Sequence, residues 1–242
     1  MALPLNNTPI YNLTLPSTGA TLRYRPFLVK EEKSLLIAQQ SEDATIMVDT
    51  LKGVVKSCVK ENLDVDSLAT FDLEYIFTQL RARSIGEMVE LIMSCDEDHG
   101  DKNKLAKVKV SIDLTKLQVS KPDNHDKKIP LFGDVGIVMK YPTIDVIKKL
   151  ESAKIDSSEV DSVFSIMVQC IDFIYDATEV YHAKEQTQKE LMEFIDNLTS
   201  EQFAKLQNFF ENMPKLKHDV NYKCPVCGKA HTVTLEGMES FF

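Results

Sequence analysis

The chain has 242 residues, long enough to bury a substantial core as one elaborate domain or two small ones, and its 43% hydrophobic and 27% charged content is that of a folded globular protein. A net charge of −9 argues against broad electrostatic attachment to nucleic acid or to an anionic membrane, and favours protein partners. No stretch reaches the roughly 18 to 20 apolar residues of a membrane span, and the opening MALPLNNTPIYNL lacks the charged-then-apolar order of a signal peptide, so reducing cytoplasm is the expected compartment.

The chain begins with alternation. Tyr11, Leu13 and Leu15 share a face, PSTGA turns at Gly19, and Leu22 and Tyr24 resume the pattern, which predicts a β-hairpin. After Pro26 a helical pattern starts in FLVKEEKSLLIAQ, with Leu35, Leu36 and Ala38 on one side. A second helix runs from about Asp43 through Ile46, Met47, Leu51, Val54, Val55 and Cys58, and a third through FDLEYIFTQLRARS, striped by Leu73, Ile76, Phe77 and Leu80. Beyond Gly86 the period becomes that of strands: EMVELIMSC and KLAKVKVSIDLTKLQV flank the polar loop CDEDHGDKN, so that a second hairpin carries Cys95 and His99 at its tip.

Residues 120–134 read as a loop punctuated by Pro, Asn and Asp, and helices are expected over about 143–152 and 157–176. TSEQFAKLQNFFENMP adds another, with Thr199 and Gln202 in capping-box spacing and Pro214 as its stop. The last segment returns to strands, KLKHDVNYK going into the CxxC and AHTVTLEG coming out. The expected fold is therefore α+β: an N-terminal β-hairpin, helical bundle regions, and two β-hairpins forming a zinc-ribbon-like unit. Its parts are residues 1–119, a mainly helical insertion at 120–214, and a C-terminal CxxC hairpin at 215–242, integrated as one domain.

Cys224-Pro225-Val226-Cys227-Gly228 is the half of a zinc knuckle, in which a glycine-closed turn aims two thiolates at one metal. A structural zinc ion takes four ligands, and the other hairpin tip offers two, so the expected set is Cys95, His99, Cys224 and Cys227. His231, on the outgoing strand with its side chain expected along the sheet, is the alternative ligand, and His218 is a further rival. A thioredoxin-like redox pair is disfavoured because such a CxxC opens a helix in a βαβ setting, whereas this one lies between strands. Cys58 and Cys170 fall within apolar patterns and read as core.

Asp96, Glu97 and Asp98 are candidates for a general base beside a catalytic zinc, but a run of acids at a hairpin tip is more often a solvated loop. The chain has no glycine-rich phosphate loop, no GxSxG and no HExxH, with eight glycines in all, so it is not expected to be an enzyme. Two features suit partner binding: the terminal pair Phe241 and Phe242, and Arg81 with Arg83 at a helix-to-strand junction. The blander alternatives are rings folded back into the core and arginines that satisfy a helix C-terminus.

RPFLVKEEK after the first hairpin, LRARSIGEMVEL leading into the Cys-bearing hairpin, and CPVCGKAHTVTLEGMESFF at the end together resemble the baseplate protein family of T-even-type contractile-tailed bacteriophages, the group of baseplate hub assembly proteins or chaperones. The resemblance runs nearly the whole length of the chain. Cys224 and Cys227 match the family's terminal pair, while Cys95-Asp96-Glu97-Asp98-His99 departs from the family's usual cysteine pair and would give a Cys3His site. The resemblance implies a virus-encoded protein made in the host cytoplasm that binds hub or tape-measure polypeptides during baseplate assembly. A permanent structural subunit of the tail baseplate is the alternative, and a zinc-dependent enzyme a remote one.

Overall fold

A computed structural model of the chain describes residues 7–41, 43–97, 99, 106–122, 125–153 and 159–241. The elements begin with β1 (Tyr11–Thr14), β2 (Thr21–Tyr24), α1 (Val29–Ser41), α2 (Ala44–Cys58), α3 (Thr70–Ser84), β3 (Met88–Ser94), β4 (Lys107–Asp113) and β5 (Gln118–Ser120). They continue with β6 (Lys128–Phe132), β7 (Val135–Met139), α4 (Ile144–Ala153), α5 (Glu159–Gln169), β8 (Ile171–Tyr175) and β9 (Val180–His182). The last are α6 (Gln188–Asp196), α7 (Ser200–Glu211), β10 (Lys215–Lys223) and β11 (Ala230–Glu236). Two compact units result, one from residues 1–63, 71–120 and 215–242, the other from residues 64–70 and 121–214. Mixed helices and small antiparallel sheets make the fold α+β.

In the first unit, β1 and β2 pair with Leu13 opposite Leu22 and Tyr11 opposite Tyr24, and the inward set Leu13, Leu15, Leu22 and Tyr24 is buried, as alternation requires. Asp43 caps α2 by accepting the backbone N–H groups of Thr45 and Ile46. Leu51, Val54, Val55 and Cys58 form its buried stripe. Of the stripe expected on α1, Ala38 is buried and Leu35 half-buried, but Leu36 is 55% exposed, and the buried face includes Glu31 instead. Glu31 is held inside by a specific set of donors. Arg25 Nη2 donates to it at 2.8 Å, the Leu28 N–H at 2.8 Å and the Ser57 hydroxyl at 3.2 Å.

α3 buries more than its apolar stripe. Asp72 is sequestered because it accepts the Ser17 N–H at 3.0 Å and the Ser17 hydroxyl, and Gln79 because its amide donates to the Leu114 carbonyl at 3.2 Å. β3 and β4 form the second hairpin, with Val89 opposite Ile112 and Leu91 opposite Val110. β10 lies between β11 and β5 in a three-stranded sheet, with Val220 opposite Val233 and Tyr222 opposite His231. One core fastens these chain-distant pieces: Ala82, Val89, Ile112, Leu114, Leu117, Leu216, Val220 and Tyr222 pack as one buried cluster.

The second unit carries, beside its four helices α4 to α7, an antiparallel sheet in the order β6-β7-β8-β9. Residues 128–132 lie in the expected loop yet alternate exposed and buried, with Ile129 and Leu131 inside. Pro130, which disguised the strand, is tolerated because β6 is the edge of the sheet and needs no donor there. Helical periodicity also over-extends: α5 stops at Gln169, and Ile171 and Ile174, three apart as on a helix face, belong to β8. The β-branched and aromatic run Ile171-Asp172-Phe173-Ile174-Tyr175 favours the strand. Gly136 in β7 sits beneath the Tyr175 ring, where a Cβ would collide with the side chain. Capping boxes start both late helices, Thr187 with Glu190 at α6 and Thr199 with Gln202 at α7.

Candidate metal centre

The terminal knuckle is built by local backbone geometry. Where β10 ends, the Cys224 N–H donates to the Lys229 carbonyl at 2.9 Å and the Gly228 N–H to the Cys224 carbonyl at 3.0 Å. Closing so short a turn puts Gly228 at φ +72°, which a residue with a Cβ adopts reluctantly. The Val226 N–H then points at the Cys224 sulfur from 3.4 Å. Cys224 is buried and Cys227 exposed.

The second hairpin supplies the other side. Cys95 follows β3, its N–H donating to the Ala106 carbonyl at 3.1 Å, and it packs with Ala106 and Cys224 in a small buried cluster. The ligand atoms of Cys95, His99, Cys224 and Cys227 all lie within 4.8 Å of one another. The Cys95 and Cys227 sulfurs are 3.9 Å apart, and Cys224 Sγ lies 3.3 Å from His99 Nε2. Bond lengths of about 2.3 Å to sulfur in a tetrahedron place two thiolates about 3.8 Å apart, so the spacing and the donor types both fit zinc. A set of four protein ligands leaves no position for a reacting water, which is the structural rather than the catalytic pattern.

Burial and the neighbouring Cys224 and Cys227 thiols push Cys95 up to about 11, although a backbone N–H at Glu97 opposes them. Burial also acts against ionisation of Cys224. There the backbone N–H groups of Cys227 and Val226, with the Cys227 and Cys95 thiols, outweigh it and draw Cys224 down to about 6. Crowded thiols thus share their protons unequally until a cation compensates the charge. The buried thiols Cys58 and Cys170 behave otherwise: burial raises both, Cys170 to about 12, and they pack as core.

His231 does not point along the sheet. Its Nε2 is 3.2 Å from Cys95 Sγ and its Nδ1 is 3.8 Å from the Asp96 carboxylate, so it closes a second group with Cys95 and Asp96. The available signal was register, because pairing with Tyr222 places His231 two residues along β10 from Cys224. His218 pairs opposite Leu235 and joins neither group. Of the acids at the hairpin tip, Asp96 is 83% exposed, Glu97 forms an ion pair with Lys229, and Asp98 lies outside the described residues.

Three of the four residues expected to bind partners lie within the described segments. Arg83 pairs with Glu87 and stacks 4.9 Å over the Tyr11 ring, and Arg81 is half-buried, its basicity lowered by that burial. Phe241 ends a 3-10 turn, Met238–Phe241, and Phe242 lies outside the described residues.

The same stretch that holds the centre lies within a longer match: residues 8–242 correspond to the family described as T4 bacteriophage base plate protein. The chain belongs to this base plate protein family. Among individual relatives, it is 23% identical over 221 residues to the baseplate hub assembly protein gp26 of Enterobacteria phage T4, covering 90% of each chain. No solved structure matches it. Among the described residues of this base plate family member, no helix is long and apolar enough to cross a membrane.

Proposed function

We propose that this chain assembles the hub of a bacteriophage tail baseplate, and that it acts by binding hub or tape-measure polypeptides as a chaperone rather than by catalysis. The observation that carries the reading is extent. The likeness to a hub assembly protein spans 90% of both chains, so it extends over nearly the whole length and not over one exchangeable module. On this reading the protein works in the host cytoplasm, where tails are built. The centre at Cys95, His99, Cys224 and Cys227 holds a structural zinc ion that fastens two hairpins far apart in sequence. When bound, zinc supplies a cross-link between chain segments and no reaction step.

The family description, base plate protein, favours a second reading in which the chain stays in the particle as a permanent hub subunit. One experiment separates the two. Quantitative mass spectrometry of purified virions and of assembly intermediates from infected cells is expected to find the chain in the intermediates and not in the virions. Stoichiometric presence in virions would make it a subunit. Complete baseplates in a phage deleted for the gene would overturn both readings.

A further inference from the structure

The centre has five nitrogen or sulfur donors around it and a tetrahedral ion uses four. The four that close within 4.8 Å of one another exclude His231, which nevertheless approaches Cys95 Sγ to 3.2 Å. We propose that His231 is a positioning residue of the centre: it donates its Nε2–H to the Cys95 sulfur and fixes the direction in which that sulfur faces the metal. The proposal rests on the zinc reading above.

Two contacts converge on one short segment. His231 Nε2 meets Cys95, and Nδ1 faces the carboxylate of the next residue, Asp96, at 3.8 Å. The ring lies flat on Tyr222, with centroids 5.0 Å apart and planes 13° from parallel. Tyr222 in turn donates its hydroxyl to the carbonyl of Ser94 at 2.8 Å. Ser94 and Cys95 are therefore held in succession by a stacked pair on β10 and β11. Cys224 receives the Val226 N–H and Cys95 the Glu97 N–H, each from two residues ahead in its own hairpin, and His231 adds to Cys95 a side-chain donor from the opposite hairpin. Outer partners of this kind orient metal ligands, and their loss costs roughly 10- to 100-fold in metal affinity.

The test uses the purified full-length chain, titrated with zinc against a chromophoric chelator and with cobalt(II) read by absorption. His231→Phe keeps a ring on Tyr222 and removes the donor; it is expected to bind zinc roughly 10- to 100-fold more weakly, with the parent's cobalt spectrum of three sulfurs and one nitrogen unchanged. His231→Gln, which restores an N–H donor without the ring, is expected to recover most of that affinity. His99→Ala is expected to change the cobalt spectrum itself. Parent-level affinity in His231→Phe would overturn the proposal, as would failure of His231→Gln to recover affinity. If His231→Phe altered the cobalt spectrum and His99→Ala did not, His231 would be a ligand and the proposal wrong. A parent that binds neither metal would overturn the zinc reading and this proposal together. If circular dichroism shows His231→Phe unfolded, Tyr222→Phe carries the test. It removes only the Ser94 anchor and is expected to weaken zinc by a smaller factor, and unchanged affinity would count against the clamp.

Discussion

The two hairpins that meet at the sulfur cluster reach it by different means. The terminal one is self-sufficient: Cys224 and Cys227 are placed by a turn with two backbone hydrogen bonds and one left-handed glycine, all between residues 224 and 229. The middle one combines local and distant contacts: Cys95 is held by Ala106 and the Glu97 N–H of its own hairpin, and by Cys224 and His231 of the other. Local geometry therefore builds half a site and tertiary structure completes it. If so, lesions in the two halves should differ. Cys224→Ser is expected to abolish zinc binding and to give the largest loss of thermal stability of any change discussed here, since metal binding in such sites is coupled to folding. His99→Ala, with three thiolates left, is expected to retain weakened zinc. Elemental mass spectrometry and thermal melts of both variants check the order, and equal losses would remove the asymmetry.

The hydrophobic cluster beside the centre offers the next contrast, between fastening by metal and fastening by burial. Leu216 is fully buried in the core shared by α3, the β3–β4 hairpin and β10. Leu216→Ala should cost about 2–5 kcal/mol in urea denaturation through lost burial and the cavity left behind. Its zinc stoichiometry should stay that of the parent. Loss of zinc in Leu216→Ala would mean that the hairpins are aligned by the core first and by the metal second.

A third region of the first unit tests whether stability there is independent of the metal. Burial alone would raise the Glu31 carboxyl, but Arg25 and the Leu28 N–H hold it down, at about 2 against an ordinary 4.5. A carboxyl lowered in the folded state contributes stability that is full above about 4.5 and is lost as the pH falls through about 2. Glu31→Gln should cost up to about 3 kcal/mol at neutral pH by leaving Arg25 without its partner charge. The difference from the parent should shrink in acid and vanish near the lower limit. Denaturation of both proteins across that range reads the difference directly, and acid release of zinc affects the two alike.

The contrast between local and tertiary placement also explains what was legible in the sequence. The first hairpin, α2 and the strands around the CxxC follow from alternation, helical spacing and one cap residue, each contained within a few residues. Cys95 and His99 are legible because a half-knuckle needs a complement, and the structure places all four ligand atoms together. The contact of His231 with Cys95 was hidden because it depends on strand register and sheet twist across two hairpins. β6 was hidden by Pro130, whose cost depends on the strand being an edge, and β8 by isoleucines whose spacing suits a helix as well. The exposure of Leu36 was illegible for a related reason. A network of hydrogen bonds, invisible to hydropathy, turns Glu31 inward on the same helix.

The smallest expected effect bears on the same comparison. Lys229 in the terminal knuckle forms an ion pair with Glu97 in the middle hairpin, so this contact too crosses between the halves. Both side chains are about half exposed, at 50% and 47%, where water screens the charges and ordering two flexible side chains offsets most of the gain. Lys229→Ala should therefore leave the melting temperature within experimental error and zinc affinity unchanged, and the parent's melting temperature should not fall between low and moderate salt. A clear loss of zinc in Lys229→Ala, recovered by Lys229→Arg, would show that surface charge helps to align the hairpins. The expected indifference would leave the buried sulfur cluster and the core around Leu216 as what joins them.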